Sequence, residues 1–242
     1  MLSKVGNGSW AITLHIYFCS ISAGVHADGL RVGFAEVPIT PEVVDEWVDV
    51  NDDAQFDPEI DTWSDGNGNG RFDPVWIAGF QKKRAAQGVK DDLMAVSVVI
   101  DDDNTRIGIV AVDTIGLMRK FVLDVRRSLP AEWGIDYLLV HATHNHEGPD
   151  TQGLWGPGLF SSGVNADYMM ELKLSILEAI ESAVKNLEPA EMTVARISTD
   201  PRTPIKDKRK PIVIDEDMRA LMFRRQDDSV IGTLVNFGIH VE

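Results

Sequence analysis

A chain of 242 residues, 44% hydrophobic and 25% charged, is long enough for one large or two small domains and can bury a core. Its formal net charge of -15 argues against nucleic acid and anionic membrane surfaces as electrostatic partners, and suits calcium loading or a saline exterior. The one cysteine, Cys19, leaves no disulfide to form within the chain.

Residues 1–27 read as an export signal: Lys4, a mostly apolar run from Trp10 to Ser22, then Val25-His26-Ala27 before a cut after Ala27. The apolar run is too short and mixed to span a bilayer; a buried N-terminal strand is the other reading. Export places the mature chain, 28–242, in a secreted, periplasmic or cell-surface setting. Leu30 to Val37 predicts a first strand, ended by Pro38 and Pro41. Beyond the acidic segment that follows, Lys82 to Gly88 forms a basic patch. Met94 to Ile100 and Ile107 to Val112 predict strands joined by a turn at Asp101-Asp102-Asp103-Asn104. Leu117, Phe121, Val125 and Leu129 lie one helical turn apart, and Pro130 stops that helix. Tyr137 to Val140 is the next strand, followed by a Gly/Pro-rich loop over 148–163. Asp167 is expected to cap a long amphipathic helix reaching about Leu187, with Leu172, Ile176, Ala179, Ile180 and Val184 on one face. Glu191 to Ile197, Met218 to Phe223 and Val230 to Phe237 predict further strands. The alternation points to α/β with a mixed β-sheet core flanked by helices, plus an acidic, calcium-loop-like insertion near the N-terminus.

That insertion, residues 47–74, repeats itself. Trp47 to Pro58 lines up with Trp63 to Pro74, with Trp, Asp, Asn, Phe, Asp and Pro at matching offsets. Asp65, Asn67, Asn69 and Asp73 fall at positions one, three, five and nine of a calcium loop; Gly70 occupies the sharp turn, and Arg71 offers its carbonyl. The first copy supplies Asp49, Asn51, Asp53 and Asp57, with Ala54 where glycine is usual. Ile60 and Trp76 stand where an EF-hand has its bidentate glutamate, so each loop needs a ligand from elsewhere, and Asp61 is near enough to serve. The alternative is a solvated acidic turn.

An apolar strand running into Val140-His141-Ala142-Thr143-His144-Asn145-His146-Glu147-Gly148-Pro149-Asp150 places half of the chain's six histidines at one point. On a strand, His144 and His146 face the same way and can share a metal; on a loop they can divide roles, or simply make turn hydrogen bonds. The absence of Asp-His after His-x-His excludes the metallo-β-lactamase pattern. His240 ends a second apolar strand, Thr233 to Ile239, and is another metal-ligand candidate. His141 alternates away from His144 and reads as structural, and Asp113 as a turn acid or a site residue.

Taken together, Val32-Gly33-Phe34-Ala35-Glu36-Val37-Pro38-Ile39-Thr40-Pro41, Thr143-His144-Asn145-His146-Glu147-Gly148-Pro149 and Val235-Asn236-Phe237-Gly238-Ile239-His240 resemble, in order, three motifs of the neutral/alkaline non-lysosomal ceramidases. The resemblance runs from about residue 30 to the end and implies the N-terminal part of a catalytic domain. It implies a zinc amidase cleaving the N-acyl bond of ceramide or a related N-acyl lipid. It also implies zinc on His144 and His240, substrate contact by His146, and peripheral contact with membrane lipid. Three departures stand out: Pro38 where the family usually has Asp, Glu147 where it has Ser, and Val241 where Pro follows the histidine. The family's remaining zinc ligands, a glutamate and a tyrosine, lie beyond the last residue, so the chain reads as a fragment. The other readings are a secreted, non-catalytic calcium-binding domain and a metal-dependent hydrolase of a different ester or amide.

Overall fold

A computed structural model describes residues 23–25, 29–198, 207 and 209–239. In chain order the strands and helices are β1 Ala23–Val25, β2 Arg31–Pro38, β3 Glu46–Val48, β4 Thr62–Ser64, β5 Met94–Asp101, β6 Arg106–Val112, α1 Arg119–Arg127, β7 Tyr137–Ala142, α2 Ala166–Lys185, β8 Glu188–Pro189, β9 Glu191–Ser198, β10 Asp217–Arg224 and β11 Val230–Phe237. Two compact units divide the chain, Ala27–Ala190 and the pair of segments Met1–His26 and Glu191–Glu242.

The larger unit is built on a five-stranded sheet in the order β7-β6-β5-β2-β8. β5 and β6 form the expected hairpin, β2 runs antiparallel to β5, and β7 returns parallel to β6 after crossing through α1. The sheet is therefore mixed and the class α/β, as expected from the alternation of elements. One face carries the core. Val110, Val112 and Ala95 from the strands meet Leu172, Ile176, Ala179 and Ile180, the buried stripe of α2. Helical spacing of apolar side chains predicted that stripe, because residues three and four apart share a face. Leu117, Phe121, Val125 and Leu129 pack into the same cluster, although α1 itself covers only Arg119–Arg127.

Two details fix how closely helix and sheet approach. A Cβ on Gly33 would lie 2.0 Å from the carbonyl oxygen of Ala183, so only glycine lets α2 lie against β2 here. At the other end of the helix, the Tyr168 hydroxyl donates to the Ile39 carbonyl at 3.0 Å. The helix N-cap differs from expectation. Asn165, not Asp167, accepts the amides of Asp167 and Tyr168, at 2.9 and 3.1 Å. Asp167 lies inside the first turn, where an acid complements the helix dipole instead of capping it.

The smaller unit is a four-stranded antiparallel sheet in the order β1-β9-β10-β11. β1 falls inside the stretch read as an export signal and pairs with β9 through Ala23↔Val194. No helix among the described residues is long and apolar enough to cross a membrane.

Candidate functional site

β7 ends at Ala142, and the chain then leaves the regular strand without leaving the edge of the sheet. The amide of Thr143 bonds the Val112 carbonyl and that of Asn145 bonds the Thr114 carbonyl, at 2.9 and 3.1 Å, extending the ladder beside β6. Between them His144 takes a left-handed backbone, φ 66°. Of the two geometries the sequence allows, a strand with both histidines on one face or a loop just past it, the structure has the second. The turn still brings the two rings together, edge to face with centroids 4.9 Å apart.

Each ring has its own support. Nδ1 of His144 lies 2.6 Å from the Ile115 carbonyl oxygen. A carbonyl only accepts, so Nδ1 is the donor here, and a backbone contact of this kind orients the ring of a metal-ligating histidine. His146 is held from behind. Its two ring nitrogens are buried, and a Cβ on Gly79, which sits at φ +117°, would come within 2.6 Å of its Cβ and Cγ. The Phe80 ring stands edge-on to His146 at 5.1 Å.

Arg84 ties this support together. Its guanidinium donates to the carbonyls of Ala78 and His146, both at 3.3 Å, and to the Glu147 carboxylate at 2.8 Å, and it lies over the Phe80 ring. Its side chain is 12% exposed, so this residue of the basic patch is a clamp and not a solvated cation. Nothing in the spacing of the sequence marked it, since His146 and Glu147 lie 62 and 63 residues on. Asp113 proves to be a turn acid: its carboxylate accepts the Met94 amide at 3.0 Å and the Thr143 hydroxyl at 2.9 Å. His141 is exposed on β7, with Nδ1 3.3 Å from the Ala142 carbonyl. Asn145 and Glu147 border a cleft of about 640 Å³ that also touches Thr40, Leu93 and Asp113; neither histidine lines it. His240 lies outside the described residues.

In the acidic insertion, Trp47 pairs with Trp63 across β3 and β4, which the repeat alone did not show. The second loop folds around Asp65, whose carboxylate accepts the amides of Gly68, Asn69 and Gly70 at 2.6 to 3.1 Å. These bonds, led by that from Gly70, hold its pKa below the ordinary carboxylate range. The amides of Asn67 and Asn69 both donate to Asp73 Oδ2, which likewise lowers the Asp73 pKa. Positions three, five and nine therefore meet at one point, with nitrogens facing inward; a cation there requires both amides to turn their oxygens in. The Arg71 amide is bonded to Asn69 Oδ1 at 2.8 Å.

The first loop is less convergent. Asp49 accepts the amides of Asp53 and Ala54, and Asn51 bonds Asp53, but Asp57 turns to the Glu59 amide and to Lys83, 3.9 Å away. The expectation that Asp61 completes a loop as a ligand is corrected. Its two oxygens accept the amides of Val50 and Asp57, at 3.0 and 2.7 Å, making it a backbone clamp. Asp45 holds the Gly66 and Asp73 amides in the same way. Among the described residues, no three His, Cys, Asp or Glu side chains form a group able to hold a metal ion.

Solved structures similar to this chain include two ceramidases. The crystal structure of neutral ceramidase from Pseudomonas aeruginosa matches with a TM-score of 0.62 at 18% identity, over 88% of this chain and 32% of that one. A structure described as ceramidase complexed with C2 matches with a TM-score of 0.61 at 19% identity, over 88% of this chain and 31% of that one. The chain has a neutral ceramidase-like fold and spans about a third of those proteins. No family model and no curated protein matches the sequence.

Proposed function

We propose that this chain carries part of a zinc-dependent amidohydrolase site acting on the N-acyl bond of ceramide or a related N-acyl lipid, in a protein exported by residues 1–27. The observation that carries the reading is the pair His144 and His146, ring centroids 4.9 Å apart, on a turn at the sheet edge of a neutral ceramidase-like fold.

His144 is the zinc ligand by resemblance, and the contact of its Nδ1 with the Ile115 carbonyl supports the reading by orienting the ring. His240 is its partner by resemblance alone. Two histidines fall short of the three protein ligands that a catalytic zinc uses, so the remaining ligands come from outside the described residues. Zinc, if held there by His144, His240 and further ligands, would supply Lewis-acid polarisation of an amide carbonyl and a more acidic water, of pKa about 7. By resemblance His146 would hydrogen-bond the polar groups of the substrate; here Gly79, Phe80 and Arg84 pack around it and its ring nitrogens are buried. Glu147, paired with Arg84, stands where a small hydroxyl is usual and presents a carboxylate to whatever enters beside His146. Calcium in the second loop, on Asp65, Asn67, Asn69, Asp73 and the Arg71 carbonyl, would staple the insertion. The first loop would follow more weakly.

The test is turnover by the full-length protein. Release of fatty acid from N-acyl sphingosine, abolished by a zinc chelator and absent with matched ester or phosphate substrates, is the expected result. Calcium binding without amide hydrolysis would instead favour a non-catalytic calcium-binding domain.

A further inference from the structure

We propose that the second acidic loop modifies itself: the backbone nitrogens of Gly68 and Gly70 attack the side chains of Asn67 and Asn69, which lose ammonia and end as carboxylates. Each asparagine is followed by glycine, which, lacking a side chain, hinders the approach of its own nitrogen least. All four residues are exposed to water, and a Cβ on either glycine would meet nothing within 4 Å, so a five-membered ring has room to close.

Each part of the reaction has its partner in place. The attacking nitrogen must lose a proton: the Gly68 nitrogen donates to Asp65 Oδ1 and the Gly70 nitrogen to Asp65 Oδ2, both at 2.6 Å. One carboxylate thus holds both protons within transfer distance. The carbonyl oxygen that gains charge meets a donor, since Asn67 Oδ1 accepts the Asn69 amide at 3.1 Å and Asn69 Oδ1 the Arg71 amide at 2.8 Å. The NH2 groups that leave both point at Asp73 Oδ2. Nucleophile and target belong to adjacent residues, so no second reactant has to be brought in for ring closure. As the glycine nitrogen bonds to Cγ, the Cγ–Nδ2 bond breaks, and the departing nitrogen leaves as ammonia with the proton given up by the glycine. Water then opens the ring to aspartate or to its β-linked isomer.

The first loop does not repeat the arrangement. Asn51 is followed by Asp52, and Asp49 accepts the amides of Asp53 and Ala54, not that of the residue after Asn51. Position five of that loop is an acid already, Asp53. In the second loop the modification changes what can be held. With both amides intact, NH2 groups face Asp73 and oppose a cation; afterwards positions one, three, five and nine offer only oxygens. Calcium would then bind more tightly as the protein ages, a consequence that rests on the calcium reading of this loop.

The experiment incubates the full-length protein in calcium-free neutral buffer and reads the amide-to-acid mass change at Asn51, Asn67 and Asn69 by peptide mapping. A synthetic peptide of residues 61–76 and the variant Asp65→Asn run beside it. Expected are conversion at Asn67 and Asn69 faster in the folded protein than in the peptide, none at Asn51 over the same period, and slowing by about tenfold or more in Asp65→Asn. Conversion in the folded protein no faster than in the peptide overturns the proposal, and so does a rate that Asp65→Asn leaves unchanged or raises. Calcium titration of Asn67→Asp/Asn69→Asp tests the consequence separately, with tighter binding than wild type expected. Absence of calcium binding in both proteins would remove the calcium reading and leave the modification standing.

Discussion

Asp45 and Asp61 are equivalent positions of the internal repeat, and each clamps the other copy's loop. Asp61 accepts the amides of Val50 and Asp57 in the first loop; Asp45 accepts those of Gly66 and Asp73 in the second. With Trp47 paired to Trp63 between them, the insertion is a two-fold exchange and not two independent turns. Removing either carboxylate should therefore loosen the loop to which it does not belong. Asp45→Asn puts an NH2 against a backbone N–H and should cost about 1–3 kcal/mol. Amide hydrogen exchange should speed at Gly66 and Asp73 while Val50 and Asp57 stay protected. Faster exchange confined to Val50 and Asp57 would rule out the exchange of clamps.

The same repeat carries backbone strain on one side only. Gly68 and Gly70 have φ of 73° and 76°, while their counterparts Asp52 and Ala54 hold 58° and 56° with a side chain attached. Left-handed backbone costs an ordinary residue about 1–2 kcal/mol. Ala54→Gly should raise stability by about 1 kcal/mol in chemical denaturation, and Gly70→Ala should lower it by at least as much. Destabilisation by Ala54→Gly would show that the first loop holds its shape for another reason.

Arg84 holds the His146 carbonyl, the Glu147 carboxylate and the Phe80 ring at once, a reach that needs a planar guanidinium. If His146 meets substrate, Arg84→Met should lower kcat/KM by about ten- to hundred-fold through misplacement, with little change in bound zinc. Arg84→Lys should not restore it. Full activity in Arg84→Lys would reduce the role to charge alone.

Acid stability should depend on Asp101. Burial works against its charge, but hydrogen bonds from Arg106 and the Asp103 amide, with the nearby charges of Arg106 and Arg31, outweigh it and leave the pKa below the ordinary 3.8. A carboxyl whose folded pKa is depressed contributes fully above its unfolded pKa and loses that contribution as pH falls through the folded one. Part of the stability present at pH 5 should thus vanish below about pH 4. Asp101→Asn should be less stable at neutral pH and show a flatter acid limb. An unchanged acid limb would exclude Asp101 as its source.

Much of this was legible in the chain itself, where the signal is local. Alternation in β5 and β6 and the apolar stripe of α2 each follow from residues a few positions apart. The cap moved from Asp167 to Asn165 because several residues before that helix can accept an amide, and only the turn geometry chooses. His144 and His146 were recognisable as a pair, but the left-handed turn that joins their rings is set by hydrogen bonds to Val112 and Thr114. The supports of that pair, the Ile115 carbonyl and Arg84, leave no mark in spacing: one is backbone, the other distant in sequence. Asp45 was within reach, since extending the repeat two residues before Trp47 aligns it with Asp61.

The central claim is that His144 ligates a catalytic metal, its ring oriented by the Ile115 carbonyl. Elemental analysis of the full-length protein tests it most directly. Wild type should carry about one zinc per active site, and His144→Ala should lose the zinc and amide hydrolysis together while keeping its thermal melt. His144→Ala that retains zinc would contradict the claim outright.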